Sequence, residues 1–115
     1  MATLTLQEIN LTGVDTALTA AAAGGDQFAN ADERVQFRVV NAAGTTRVVT
    51  LVAQVACNHG TVHSITLSTE NGEDFTIGPF DRERFNDSNG MIQVTYSSEV
   101  GLTVAALNLD VPPKR

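Results

Sequence analysis

The amino-acid sequence predicts an all-β fold: an antiparallel β-sandwich or jelly roll of about seven or eight strands with an extended N-terminal arm. Short segments in which apolar and polar residues alternate recur about every 8–12 residues, with turn-forming residues between them. Glycines fall where we place turns, at Gly44, Gly60, Gly72, Gly78 and Gly90. One Ala-rich segment, residues 16–25, is equally compatible with a short helix and an irregular loop.

The first half of the chain contains two strong strand predictions, residues 34–41 and residues 45–56, joined by a turn long enough for a hairpin. Their apolar faces are formed by Val35, Phe37 and Val39 and by Val49, Leu51, Ala53 and Val55. Residues 26–33 are predicted to be a loop with Phe28 as its buried anchor. Residues 3–11 mix β-branched and apolar positions, which favours a strand or an extended arm.

Further strands are predicted at residues 61–69, 74–77, 92–96 and 100–109. The turn at residues 70–73 contains Asn-Gly, which is a strong hairpin signal. We interpret residues 74–96 as a long hairpin, because Ile92, Val94 and Tyr96 line one face of its second strand. Its connection is charged at residues 81–84, and we expect Phe80 and Phe85 to pin it to the core.

The length of 115 residues fits a single domain spanning residues 1–115. Aromatic residues are 5% of the chain and Trp is absent, so the core is small and a partner subunit would add useful burial. Residues 1–12 are predicted to be either an N-terminal arm or a first strand, and residues 110–115 a polar C-terminal tail. We expect no signal peptide and no membrane span, since no apolar run approaches the required length.

The formal net charge of −6 argues against direct binding of nucleic acid. The arginines are spread among acidic residues, so the sequence shows no basic patch that would follow a phosphate backbone.

The sequence offers weak candidates for a metal site, and we expect neither a metal nor another cofactor. Cys57 is the single cysteine, and His59 and His63 lie about 13 Å apart if both are on one strand. The segment Asp87-Ser88-Asn89-Gly90 is only a fragment of a calcium-binding loop. No hydrolase, phosphate-binding or metalloprotease motif is present, so the protein is not expected to be an enzyme.

Several segments occur together in an order that resembles small virion proteins of tailed bacteriophages, encoded beside the major capsid protein. They are AAGGDQFAN at residues 22–30, VQFRVVN at 35–41, IGPF at 77–80, RFND at 84–87, and VTY at 94–96 followed by LTVAAL at 102–107. The likeness extends from about Gly24 to Leu109 and is least over residues 57–68.

The resemblance implies a capsid decoration (cement) protein that binds the major capsid protein on the outer surface of the expanded capsid. Such a protein would be made in the host cytoplasm, would act as a homotrimer or homodimer in the virion, and would need no catalytic residues. The candidate contacts lie in the N-terminal segment and in the connection at residues 79–86. They are Leu4, Leu6 and Ile9, and Phe80, Arg82, Arg84 and Phe85.

Two alternatives remain open at this point. A head–tail connector or tail accessory protein would form rings rather than trimers or dimers. A carbohydrate- or receptor-binding module would need exposed aromatic platforms, and the chain has one Tyr and no Trp. An enzyme would require an unusually acidic thiol at Cys57.

Overall fold

The computed structural model describes residues 2–9, 13, 15–54 and 64–109, and these form an all-β fold, as predicted. The strands are β1 (Ala2–Thr3), β2 (Leu6–Ile9), β3 (Thr19–Ala20), β4 (Asp26–Ala29), β5 (Val35–Asn41), β6 (Arg47–Leu51), β7 (Ile65–Thr69), β8 (Asp74–Ile77), β9 (Met91–Tyr96) and β10 (Leu102–Leu109). A single helical turn, α1 (Arg82–Phe85), lies between β8 and β9.

The strands form two mixed sheets. Sheet A has the order β1-β4-β9-β6-β7, and sheet B has the order β2-β10-β5-β8, with β3 also paired to β10. The prediction of a purely antiparallel fold is wrong at the N-terminus, where β1 runs parallel to β4 and β2 runs parallel to β10. The chain enters the fold beside strands that come much later in sequence, so no local turn fixes its direction.

One hydrophobic core receives side chains from both sheets, at alternate positions of most strands. In β10 the four consecutive residues 104–107 are all buried. The fully buried residues include Phe28, Val49, Leu51, Ile92 and Val94 of sheet A, and Val35, Phe37, Val39, Leu102, Val104 and Ala106 of sheet B. The inward faces predicted for the segments at 34–41, 45–56 and 92–96 are confirmed as far as the structure describes them. Phe28 is buried as expected, with an exposed fraction of 0%.

Most of the predicted hairpins are wrong, because their turns lead from one sheet to the other. The chain crosses between sheets from β5 to β6, from β7 to β8, from β8 to β9 and from β9 to β10. Among the described strands, β6 and β7 are the sequence neighbours that pair with each other. The turn predicted at residues 58–60 between them lies outside the described residues. The alternation of apolar and polar residues predicts which face of a strand is buried. It does not predict which of the two sheets the strand joins, because a strand in either sheet can turn its apolar face to the core.

Of the two alternatives for residues 16–25, the helix is wrong, and the segment is irregular except for the two residues of β3. Residues 26–33 depart from their predicted local structure. The loop predicted at residues 26–33 begins with β4, whose four residues pair with β9. Tertiary pairing therefore overrides the weak strand propensity of Asp, Gln and Ala.

The described N-terminal residues are strands in both sheets. β1 joins sheet A and β2 joins sheet B, so the segment passes from one sheet to the other. Leu4 lies between them with an exposed fraction of 7%, and its N–H donates to the Gln27 carbonyl at 2.8 Å. Within the segment predicted as an arm or a first strand, residues 2–9 contain two short strands, β1 and β2. Residues 10–12 and the tail at 110–115 lie outside the described residues.

Candidate interaction site at the β8–β9 connection

The connection between β8 and β9 starts with a close approach of two backbones. Gly78 has φ +136°, and a Cβ there would lie 2.8 Å from the carbonyl oxygen of Val35. Glycine is the residue that tolerates both the backbone conformation and the contact. The connection therefore leaves β8 against the start of β5, and Phe80 follows two residues later.

Phe80 and Phe85 anchor the connection, as predicted, with exposed fractions of 2% and 3%. Phe80 lies 5.8 Å from Phe28 and 5.6 Å from Phe85 between ring centroids, and Phe28 stacks on Phe37 at 5.5 Å. These rings form a continuous row that starts between the two sheets and ends under α1. Ring pairs at these distances add to the stability gained from burial.

The short helix α1 lies above this aromatic row. The side chain of Asp81 accepts a hydrogen bond from the Glu83 N–H at 2.9 Å, which caps the N-terminus of the helix. The carbonyl of Arg84 accepts from the Gln54 N–H at 2.8 Å, which ties the end of α1 to the chain leaving β6. Both ends of the helical turn are thus fixed to the fold.

A pair of asparagines links the connection to the loop after β4. Asn30, which is fully buried, donates from Nδ2 to the carbonyl of Phe80 at 3.1 Å and to Oδ1 of Asn86 at 2.9 Å. Asn86 donates in return to the carbonyl of Asn30 at 2.7 Å. Oδ1 of Asn30 has no hydrogen-bond partner among the described residues. Three hydrogen bonds therefore join the loop to the connection.

Glu33 strengthens this junction from the surface. It has φ +58°, a left-handed conformation that is uncommon for a residue other than glycine, Asn or Asp. Its carboxylate accepts from the Arg82 N–H at 3.0 Å, and Nη1 of Arg82 donates to the carbonyl of Ala31 at 2.9 Å. The guanidinium of Arg84 stacks 4.8 Å above the ring of Phe85. Both arginines are exposed and held in defined positions.

The segment that resembles part of a calcium loop is a hydrogen-bonded turn. Oδ1 of Asp87 accepts from the N–H groups of Asn89 and Met91 at 2.8 and 3.0 Å, and Oδ2 accepts from Gln93 at 2.8 Å. The Met91 N–H, followed by the other two donors, lowers the pKa of this carboxyl below its ordinary value. The carboxylate is used to hold the turn into β9.

The structure divides the predicted contact residues into two groups. Leu4, Phe80 and Phe85 are buried in the core, and Leu6 packs against it from β2, so their side chains position the surface rather than form it. Ile9 is half-buried, and Arg82 and Arg84 are exposed.

Ile9 nevertheless lies at the same end of the molecule as the connection. It pairs with Leu109, whose N–H donates to the carbonyl of Arg34 at 2.9 Å, beside Glu33. No sequence pattern predicted the organising roles of Asn30, Glu33 and Asn86. Two of them, Asn30 and Asn86, fall in the segments that carry the resemblance, which was the available signal.

Within the described residues, no group of three or more His, Cys, Asp and Glu side chains is arranged to hold a metal ion. The candidates Cys57, His59 and His63 lie outside the described residues. In the part of the chain that the structure describes, no helix has the length and apolar character to cross a membrane.

One buried pair joins β4 to β9. The hydroxyl of Tyr96 donates to Oδ2 of Asp26 at 2.6 Å, and Asp26 is fully buried. Burial, together with the neighbouring Asp26, raises the pKa of Tyr96 far above its ordinary value, so this hydroxyl stays protonated. The pair acts as a structural hydrogen bond within sheet A.

Comparison of the chain with protein-family models, with curated proteins and with solved structures finds no match. The function is therefore inferred from the contacts and surfaces of this chain.

Proposed function

We propose that this protein is a structural virion protein that binds and stabilises the expanded capsid lattice of a tailed phage, as a decoration (cement) protein. In this proposal the two sheets form a β-sandwich that carries a rigid contact surface at one end. We name that surface the arginine end and define it as residues 30–34 and 79–90. The observation that carries the proposal is the arrangement of exposed arginines on this end, which Phe80 and Phe85 anchor in the core.

The sequence segments that carry the resemblance support the proposal because they are neighbours in the fold. The segment at 22–30 ends in Asn30, which bonds to Phe80 and Asn86 of the connection. The segment at 35–41 is β5, which pairs with both β8 and β10. Residues far apart in sequence thus converge on the arginine end.

The charge distribution also supports a contact role. Three of the five arginines among the described residues, Arg34, Arg82 and Arg84, are exposed at the arginine end. The acidic residues of the same surface are Asp32, Glu33, Asp81, Glu83 and Asp87. Arginine is enriched in protein interfaces, because its planar head group forms several directed hydrogen bonds. Alternating signs favour a partner protein of matching pattern over a uniformly charged polymer.

Rigidity gives this surface a second advantage. Phe80 and Phe85 anchor it in the core, and Asn30 and Glu33 fix it from the neighbouring loop. A contact surface that is already ordered loses less conformational entropy on binding. We therefore assign Arg82, Arg84 and Ile9 to direct contact, and assign Leu4, Leu6, Phe80 and Phe85 to positioning.

The test is co-sedimentation of the purified protein with expanded, undecorated phage heads and with unexpanded shells. We expect saturable binding to the expanded heads alone. Arg84→Glu should weaken it at least tenfold, whereas Arg47→Glu, with the same charge change, should not. Arg47 is the matched control because it bonds to the carbonyl of Val100 near the start of β6, away from the Gln54–Arg84 contact.

Binding to neither shell, with the fold intact, would contradict the proposal. Assembly of the protein into rings under those conditions would instead indicate a connector component. Equal losses for the two arginine variants would show that net charge, and not the arginine end, governs the contact.

A further inference from the structure

The outer face of sheet A carries no charged side chain among the strand residues that the structure describes. We call this surface the neutral face. Its members alternate with the buried residues of the same strands: Thr3 of β1, Gln27 and Ala29 of β4, Met91, Gln93 and Thr95 of β9, Val48 and Thr50 of β6, and Thr66 and Ser68 of β7. The face thus crosses all five strands of the sheet.

Side chains on the neutral face are aligned in rows across the strands. Thr50 lies opposite Thr66 on one side and opposite Thr95 on the other, so three threonines span three strands. In a second row, Gln93 donates to Gln27 at 2.8 Å, and Gln27 donates to Thr3 at 2.9 Å. These lateral hydrogen bonds hold the glutamine side chains along the sheet.

The outer face of sheet B differs. It carries the ion pair between Arg38 of β5 and Asp74 of β8, whose closest N–O distance is 2.6 Å. The outer face of sheet B is therefore charged, whereas the strand residues of the neutral face are uncharged. The whole chain has a formal net charge of −6.

We infer that the neutral face is a self-association surface, and that its occupant is the neutral face of a second copy of this chain. Two copies repel each other over most of their surface because both are acidic. The centre of a protein interface is depleted in charged residues, and the strand residues of this face satisfy that condition. The nearby carboxylate of Asp87 lies at the Met91 end of β9, where it accepts a hydrogen bond from Gln93 at 2.8 Å. A contact related by two-fold symmetry places the threonine rows of the two copies against each other. This inference does not depend on the capsid function.

The size of the face predicts a weak dimer. The strands β1, β4, β9, β6 and β7 are 2, 4, 6, 5 and 5 residues long. With about 3.3 Å per residue along a strand and about 4.8 Å between strands, the sheet covers roughly 350 Å². A standard interface takes about 800 Å² from each partner, and smaller ones are transient. We therefore expect a monomer at about 10 µM and a measurable fraction of dimer by about 1 mM, as for other small transient interfaces.

The experiment is sedimentation equilibrium from about 10 µM to 1 mM, with two variants of equal charge. Thr66→Glu places a carboxylate on the neutral face, and Thr76→Glu places one on the outer face of sheet B. Both threonines are exposed and lie on strands at sheet edges, so the pair is matched. We expect at least a tenfold weaker dimer for Thr66→Glu and a Kd within about twofold of wild type for Thr76→Glu. Added salt should strengthen the wild-type dimer, because it screens the repulsion between acidic copies.

Three results would overturn the inference: a wild-type protein that stays monomeric at 1 mM, equal weakening by the two variants, or a dimer that salt dissociates. If Thr66→Glu lowers the melting temperature relative to Thr76→Glu, Thr95→Glu replaces it, since Thr95 is exposed in the same row. No weakening by that variant would also overturn the inference.

Discussion

Substitution of Asn30 tests whether the asparagine pair holds the arginine end in place. In Asn30→Ala, the carbonyl of Phe80 and Oδ1 of Asn86 lose their donor. Each buried acceptor left without a partner costs about 1–3 kcal/mol. The variant also removes Oδ1 of Asn30, which has no partner among the described residues, and this recovers about 1 kcal/mol.

The net loss expected for Asn30→Ala is about 1–5 kcal/mol of unfolding free energy, centred on about 3 kcal/mol. In a domain of this size that corresponds to a fall of about 10 °C in Tm. The protein should remain folded, because typical domains have about 5–15 kcal/mol of stability. The matched surface substitution Asn89→Ala, in the exposed turn before β9, should cost less than about 0.5 kcal/mol.

Asn30→Asp sharpens the test through its pH dependence. Its carboxylate would be buried facing two oxygen acceptors, so burial and repulsion would raise its pKa in the folded state. The variant should therefore lie closest to wild type below about pH 4 and lose relative stability as the pH rises towards 7. Asn89→Asp should show no such trend.

Urea denaturation of the wild type and these variants at pH 4 to 7 provides the measurement. A loss below about 1 kcal/mol for Asn30→Ala would refute the assigned hydrogen bonds. The difference in unfolding free energy between Asn30→Asp and wild type could instead stay constant across this pH range. That result would refute the assignment of the Asn30 side chain as a buried donor that faces two acceptors.

Three further predictions follow from single contacts. Asp87→Asn should cost about 1 kcal/mol at pH 7. Because the pKa of Asp87 is lowered in the folded state, its contribution is present above about pH 4 and is lost as the pH falls below that value, so the acid-unfolding curve of the variant should be less steep there. Gly78→Ala should cost about 2–4 kcal/mol, since φ is +136° and the new Cβ meets backbone, whereas Gly72→Ala, which meets nothing within 4 Å, should cost about 1 kcal/mol; equal melting temperatures would contradict this. Tyr96→Phe removes the hydroxyl that donates to buried Asp26 and should cost about 2–3 kcal/mol in urea denaturation, and a loss under about 0.5 kcal/mol would disprove the pairing.

The sequence by itself determined the fold class and the inward face of most strands. Val35, Phe37 and Val39 alternate with polar neighbours and are buried, because a strand turns successive side chains to opposite sides. It also identified the anchors Phe28 and Phe80, since large aromatic side chains beside turn residues gain most from burial. These properties depend on a few neighbouring residues.

Only the tertiary structure decided which strands pair. The turn at residues 70–73 has the sequence of a hairpin, yet it joins β7 of sheet A to β8 of sheet B. Likewise, β1 and β2 run parallel to strands far along the chain. Pairing depends on which distant faces bury the most apolar area together, and alternation within one segment carries no information on that choice.

For the candidate site, too, the sequence predicted some features and the tertiary structure decided the others. The exposed arginines of residues 81–84 and the aromatic anchors beside them were visible in the sequence. The contacts that fix them were not, because Asn30 lies 50 residues before Phe80 and Glu33 lies 49 residues before Arg82. The neutral face also appears only when five strands from distant parts of the chain are placed side by side, since each contributes no more than three of its residues. The types of these residues can be read from the sequence. Their common surface exists only because strands that are distant in the chain pair with one another.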